Sequence, residues 1–137
     1  MKRNLLDLAP AEFAGLKFQC SCGKEHSVGI RKILIESGCL KKLPQVIKEL
    51  GGTRVFLIAD ENTFSVAGRE ARELLEQAGI PLHGKVFPGS PTLVPNEFVL
   101  GAVLAAMEPE DDFILAVGSG CLNDTAKLLS ARTGVPY

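Results

Sequence analysis

The chain has 137 residues, 46% of them apolar, enough for one folded unit with a real core and too many for a disordered segment. With 15 Lys and Arg against 16 Asp and Glu the net charge is -1, so nothing in the charge balance points to nucleic acid or an anionic membrane surface. No stretch approaches the roughly 18 apolar residues of a membrane span, and the basic start Met1-Lys2-Arg3 lacks the following apolar run of a secretory signal; a soluble, cytoplasmic protein is expected.

In chain order, Leu16 to Gln19 and Ser27 to Ile35 read as two strands around the turn Ser21-Cys22-Gly23-Lys24-Glu25, a hairpin attached to the edge or base of the sheet that follows. Leu40, Leu43, Ile47 and Leu50 share one helical face, and Gly51-Gly52 ends that element. Arg54 to Asp60 is a short apolar run, the form of a strand buried on both faces. Ala67, Ala71, Leu74, Leu75 and Ala78 keep helical spacing up to Gly79, and a weaker strand covers His83 to Phe87. Phe98, Val99, Ala102, Val103 and Ala106 form the next helical stripe, started near Pro95 and stopped by Pro109. Phe113 to Val117 is a second buried strand leading into Gly118-Ser119-Gly120 and a helix that ends at Gly134. Val135-Pro136-Tyr137 reads as the start of a further strand, so a longer protein is expected, of which residues 1–137 are the N-terminal domain. The βαβαβα order predicts an α/β fold: a parallel Rossmann-like sheet with helices on both faces and right-handed crossovers, plus an N-terminal β-hairpin.

The strongest chemical signal is Val117-Gly118-Ser119-Gly120-Cys121-Leu122-Asn123-Asp124-Thr125-Ala126-Lys127. Glycines between a buried strand and a helix let backbone approach a ligand, and the free N–H groups of the helix start favour an anion. Taken alone, two glycines fit a tight strand-to-helix turn equally well. The Walker A loop is excluded, because no Gly-Lys-Ser/Thr ending is present. The usual dinucleotide fingerprint fails too: Asn123 stands where its third glycine belongs, and the acidic strand-end residue, Asp60, lies upstream of the loop rather than downstream.

With Asp60-x-Asn62-Thr63 upstream, Gly-Ser-Gly-x-x-x-Asp-x-x-Lys resembles the superfamily of dehydroquinate synthase-like and iron-containing alcohol dehydrogenases. Within it, Cys20-x-Cys22-Gly23-x-x-His26, Leu93-Val94-Pro95-Asn96-Glu97 and Gly118-Ser119-Gly120-x-x-Asn123-Asp124 are most similar to bacterial sn-glycerol-1-phosphate dehydrogenases. The resemblance implies a nucleotide, NAD or NADP, held between this domain and a following helical domain. That second domain, absent from this chain, would bind a divalent Zn, Fe or Ni ion through an Asp and two His. The expected substrate is a small phosphorylated polyol, glycerol-1-phosphate or dihydroxyacetone phosphate, in an enzyme that serves phospholipid synthesis and is a homo-oligomer at full length. Asp60 would bind the adenosine ribose hydroxyls; Gly118, Ser119, Gly120, Cys121 and Leu122 would wrap the pyrophosphate. Asp124, expected on the first helical turn, would face the cleft toward the nicotinamide ribose or substrate, or else serve only as an acid stabilised by the helix dipole. Lys127 reads as a solvated helix residue. Ser119 replaces the middle glycine common in the superfamily, and Cys121 stands where Ser, Thr or Lys is frequent; both leave the backbone contacts intact.

Other residues compete for attention. Cys20, Cys22 and His26 carry good zinc-ligand chemistry, but a structural site wants four ligands, and the sequence alone favours a hairpin turn with incidental thiols. Cys20 and Cys22 are poor disulfide partners if both lie on one strand, where their side chains point to opposite faces. The four cysteines are expected as reduced thiols. His83 is expected at the surface or sheet edge without a partner. Cys121 at a helix start favours a lowered thiol pKa, but no His lies near it in sequence to support catalysis. Three functions stay open: a sugar- or glycerol-phosphate dehydrogenase, another superfamily member (glycerol or simple alcohol dehydrogenase, or dehydroquinate synthase), and a non-catalytic nucleotide-binding module.

Overall fold

The computed structural model describes residues 4–137, so the basic start Met1-Lys2-Arg3 lies outside the described residues. The chain divides into two compact units at Cys39/Leu40.

The second unit is organised by strand β3 (Val55–Asp60), which lies between β4 (Leu82–Phe87) and β5 (Phe113–Ala116) and runs parallel to both. Val55 sits opposite Leu82 on one side and Phe113 on the other. A central strand covered on both faces has no polar face to alternate, and Val55 through Ala59 are each 0% exposed. Around the sheet run α1 (Leu43–Glu49), α2 (Glu61–Thr63), a π-helical segment Phe64–Gly68, α3 (Arg69–Gln77), α4 (Glu97–Ala106) and α5 (Gly120–Thr133). Phe56, Ile58 and Ile114 pack with Val99 and Val103 of α4 and with Leu122, Ala126 and Leu129 of α5. On the other face, Val55 and Phe113 pack with Ile47 of α1, Leu75 of α3 and Ile80. Each such side chain contributes about 1.5–3 kcal/mol when fully buried. Helices therefore cover both faces of a parallel sheet, as the element order predicts.

Several boundaries move for local reasons. The helical stripe begins at Ala67, yet the helix begins at Glu61, because Asp60 accepts the Thr63 amide at 2.7 Å and so caps the chain as it leaves β3. Asn96 does the same for α4, accepting from the Val99 amide at 3.0 Å. Gly134, at φ 77°, ends α5 in the left-handed conformation that glycine adopts without a Cβ penalty. Beyond it, the Ile114 amide donates to the Pro136 carbonyl at 2.8 Å, so the tail runs beside β5 where a further strand is expected, without forming a regular one.

The opposite end of the sheet carries a polar cluster that the sequence reading misses. His83 lies inside β4 and its Nε2 is 2.7 Å from Asp111 Oδ1, so the expectation of a partnerless His83 is wrong. The Asp111 carboxylate is fully buried and also accepts from Arg54 Nε at 3.3 Å and from the Glu108 amide at 2.8 Å. Arg54 reaches on to Glu108. Next to it, Asp112 accepts from the Thr53 and Arg54 amides, each at 2.8 Å, and from the Thr53 hydroxyl. Burial pushes the Asp112 carboxyl upward, but these hydrogen bonds together outweigh it and hold the group below its ordinary range.

In the first unit, β1 (Lys17–Gln19) pairs antiparallel with β2 (Glu25–Ser27), Phe18 facing His26. The second strand falls earlier than expected. Val28 and Ile30 still bond to Leu16 and Gly15, at 2.8 and 2.9 Å, but residues 31–35 form no strand. The hairpin is a two-stranded sheet of its own, distinct in its hydrogen bonding from the three-stranded parallel sheet. Along β2, Glu25, His26 and Ser27 are all exposed, so the strand has no buried face.

Candidate functional site

From β3 the chain crosses to β4 on one side, and then from β4 to β5 on the far side of β3. The carboxyl ends of β3 and β5 are therefore the point where the crossovers diverge, the usual ligand position in an open α/β sheet. A cavity of about 250 Å³ lies there, lined by Asn62, Thr63, Val66, Ala67, Val117 and Gly118. Val66 and Ala67 belong to the π-helical segment.

Asp60 is the last residue of β3 and reaches this end of the sheet half-buried. Its carboxylate is partly committed: Oδ1 takes the Thr63 amide, and the Thr63 hydroxyl lies 3.1 Å from the Asp60 nitrogen in return. Oδ2 is not part of that cap. Two neighbours that sequence reasoning gave no role tie down the loop after β4. Glu61 accepts the Gly89 amide at 3.1 Å, and Asn62 Nδ2 donates to the Gly89 carbonyl at 3.0 Å. Asn62 stands in the quoted motif, but its partner is 27 residues away, and no local signal announces such a contact.

The loop between β5 and α5 supplies the rest. Gly118 has φ +148°, and a Cβ there would stand 2.3 Å from Leu122 Cδ1 and 2.8 Å from Thr63 Cγ2. This glycine is required by the fold itself, and through Thr63 it is packed against the Asp60 cap. Ser119 is the N-cap of α5 but makes no side-chain cap bond, and the ladder begins with the Asn123 amide donating to the Ser119 carbonyl at 3.1 Å. The amides of Gly120, Cys121 and Leu122 precede that first bond, as at any helix start. A Cβ on Gly120 would meet nothing within 4 Å, so this glycine borders open space. Gly118, Ser119 and Gly120 are exposed and Cys121 is half-buried, while the Leu122 side chain is 0% exposed in the core. Leu122 is 0% exposed as a whole residue, so the exposed part of the turn is Gly118 to Gly120. An exposed run of free amides beside a cavity, with no Cβ at Gly120, fits a diphosphate.

Asp124 departs from expectation. It is the fifth residue of α5, just past the first turn on which it is expected. It is exposed and paired with Lys127 at 3.2 Å, and Lys127 is the solvated helix residue expected. Among the described residues, the group of metal-ligating side chains with convergent atoms is Cys20, Cys22 and His26 in the hairpin. No such group stands beside the Gly118 loop among the described residues, so the divalent ion implied by the resemblance has no ligand set there.

The fold and loop define an open parallel α/β unit whose Gly-rich turn sits at the topological switch point. The chain belongs to the iron-containing alcohol dehydrogenase family, whose model matches residues 34–137. It is 31% identical over 122 residues to the NAD(P)+ glycerol-1-phosphate dehydrogenase of Halalkalibacterium halodurans, covering 87% of this chain and 31% of that one. It is also 31% identical over 108 residues to the same enzyme of Methanosarcina barkeri, covering 78% of this chain and 29% of the other. An iron-containing alcohol dehydrogenase from Thermococcus thioreducens shares the fold, with a TM-score of 0.61 at 24% identity over 72% of this chain and 25% of its own. The chain spans about a third of the length of these curated relatives, 31% and 29%.

Proposed function

We propose that the chain is the nucleotide-binding domain of an NAD(P)-dependent, metal-assisted dehydrogenase acting on glycerol-1-phosphate and dihydroxyacetone phosphate. The observation that carries this reading is the exposed turn Gly118 to Gly120 at the start of α5, whose Gly118 lines the cavity at the switch point, with Asp60 at the end of the neighbouring strand. The family match supports a dehydrogenase, and the named activity of the relatives supports the phosphorylated polyol.

Each residue has a defined part. The amides of Gly118, Ser119, Gly120, Cys121 and Leu122 hold the pyrophosphate, helped by the positive end of the α5 dipole. Asp60 Oδ2 accepts from the adenosine ribose hydroxyls while Oδ1 keeps the α2 cap. Thr63, packed between the two, fixes their separation. Asp124 sits one turn along α5, where it orients the nucleotide's nicotinamide end or the substrate through its exposed carboxylate. NAD, when bound, supplies the hydride acceptor for alcohol oxidation. The metal ligands belong to a helical C-terminal domain outside this chain, and none of the steps assigned to these residues runs through them.

Steady-state kinetics of the full-length enzyme test the reading directly. Oxidation of glycerol-1-phosphate should exceed that of glycerol, ethanol and glycerol-3-phosphate in kcat/KM. Equal or better turnover of an unphosphorylated alcohol would transfer the protein to a different substrate class within the family. Failure of the full-length protein to bind any nicotinamide nucleotide would sink the reading altogether.

A further inference from the structure

The N-terminal hairpin has a problem of stability that its own residues do not solve. None of residues 4–39 is buried, so this unit has no hydrophobic core. Small units without a core are held by a disulfide or a metal staple. All four cysteines of the chain are free, which removes the disulfide.

The turn nevertheless brings three ligand atoms together. Cys20 follows the last residue of β1, and the chain then leaves the strand: the Gly23 amide donates to the Cys20 carbonyl at 3.0 Å and the Cys20 amide to the Lys24 carbonyl at 2.9 Å. Gly23, at φ +82°, provides the reversal. The alternation that would send Cys20 and Cys22 to opposite faces of a strand does not apply inside this turn. Cys22 curls back until its amide points at Cys20 Sγ, 3.5 Å away, and its own Sγ lies 3.2 Å from His26 Nε2. The His26 ring is stacked on Phe18, its cross-strand neighbour, with centroids 5.4 Å apart at 21°. Cys20 Sγ, Cys22 Sγ and a His26 ring nitrogen all lie within 4.8 Å of one another. Zn–S and Zn–N bonds of about 2.3 and 2.0 Å in a tetrahedron need ligand separations of roughly 3.5–3.8 Å. The cluster is therefore within a small rotamer adjustment of ligation.

We infer that Cys20, Cys22 and His26 form a zinc site that staples the hairpin, with two thiolates, one imidazole and a fourth position left to water. Binding expels the thiol protons to solvent as the two Zn–S bonds form, so uptake strengthens as pH rises. The site lies outside residues 34–137, the part matched by the family model, and does not depend on the nucleotide reading.

The test uses the reduced 1–137 chain with Zn²⁺ and Co²⁺ alone. One Zn²⁺ per chain should be drawn from a weak chromogenic chelator, and Co²⁺ should give a thiolate-to-metal charge-transfer band. Cys20→Ser/Cys22→Ser should abolish both, His26→Ala should weaken Zn²⁺ binding by at least about tenfold, and Cys39→Ser should change neither. Circular dichroism reports whether each variant keeps the fold of residues 40–137. A wild-type chain that takes up no Zn²⁺, or a Co²⁺ band that survives loss of both thiols, would overturn the site. So would unchanged affinity in His26→Ala.

Discussion

Asp60 caps α2 through one carboxylate oxygen, and the ribose contact proposed for the other can be separated from that cap by substitution. Asn caps a helix about as well as Asp, whereas Ala costs about 1 kcal/mol at such a position. Asp60→Asn should therefore leave stability nearly unchanged while removing the charge that would repel the extra phosphate of NADP. In the full-length enzyme the NAD-to-NADP preference should fall by roughly tenfold, or about 1.4 kcal/mol. An unchanged ratio would leave Asp60 with its capping role alone. The two glycines separate in the same way. Gly118→Val places a side chain against Leu122 and Thr63 at a positive φ, so steric strain of about 1–3 kcal/mol adds to a comparable backbone penalty. Gly120→Val points into open space, so the KM for NAD should rise sharply with little change in the unfolding midpoint. Cys121→Ser should be nearly silent, because only its backbone is recruited. A normal KM in Gly120→Val with loss of activity in Cys121→Ser would make the loop a thiol site.

At the scale of elements, the helices and buried strands were legible because core contact writes itself into spacing: Ile47, Leu75, Val99 and Val103 all lie on stripes visible before folding. What spacing could not show was pairing between distant residues. His83 and Asp111 are 28 positions apart and meet only because β4 and β5 flank β3. The same holds for Asn62 with Gly89. The hairpin was placed too late because Ile30, Leu34 and Ile35 look like strand residues, yet they are exposed and lack a sheet to join. The strand-entry cluster has measurable consequences. Asp111→Ala removes a buried acceptor shared by His83, Arg54 and the Glu108 amide and should cost about 3 kcal/mol in urea unfolding. A change under about 0.5 kcal/mol, typical of surface sites, would show the cluster to be ornamental. Asp112 has a depressed carboxyl, so its stabilisation is complete above an unfolded-state pKa of about 3.9 and is lost as pH falls through the lower folded value. Wild-type stability should drop on that acid limb, and Asp112→Asn should flatten it. An identical acid limb in the variant would contradict the assignment.

At the scale of the whole molecule, the proposed nucleotide site lies within one of the two compact units. The Gly118 to Leu122 loop, the Asp60 end of β3 and the cavity lined by Gly118 and Thr63 belong to residues 40–137, and no metal ligand set accompanies them among the described residues. The Gly-rich strand-to-helix turn was legible in the sequence because its glycines are a local pattern; the missing cap on Ser119 and the open space at Gly120 are properties of three-dimensional placement. Binding without turnover is the expected behaviour of residues 1–137, with or without added Zn²⁺, Ni²⁺ or Fe²⁺. The most direct measurement is a titration of ADP-ribose into the isotopically labelled chain, followed by amide chemical shifts. Saturable shifts should concentrate at Gly118 to Leu122 and at Asp60 to Thr63, and Gly120→Val should abolish them while preserving the rest of the spectrum. Saturable binding that leaves the Gly118 to Leu122 amides unmoved, or no binding at any attainable concentration, would contradict the account.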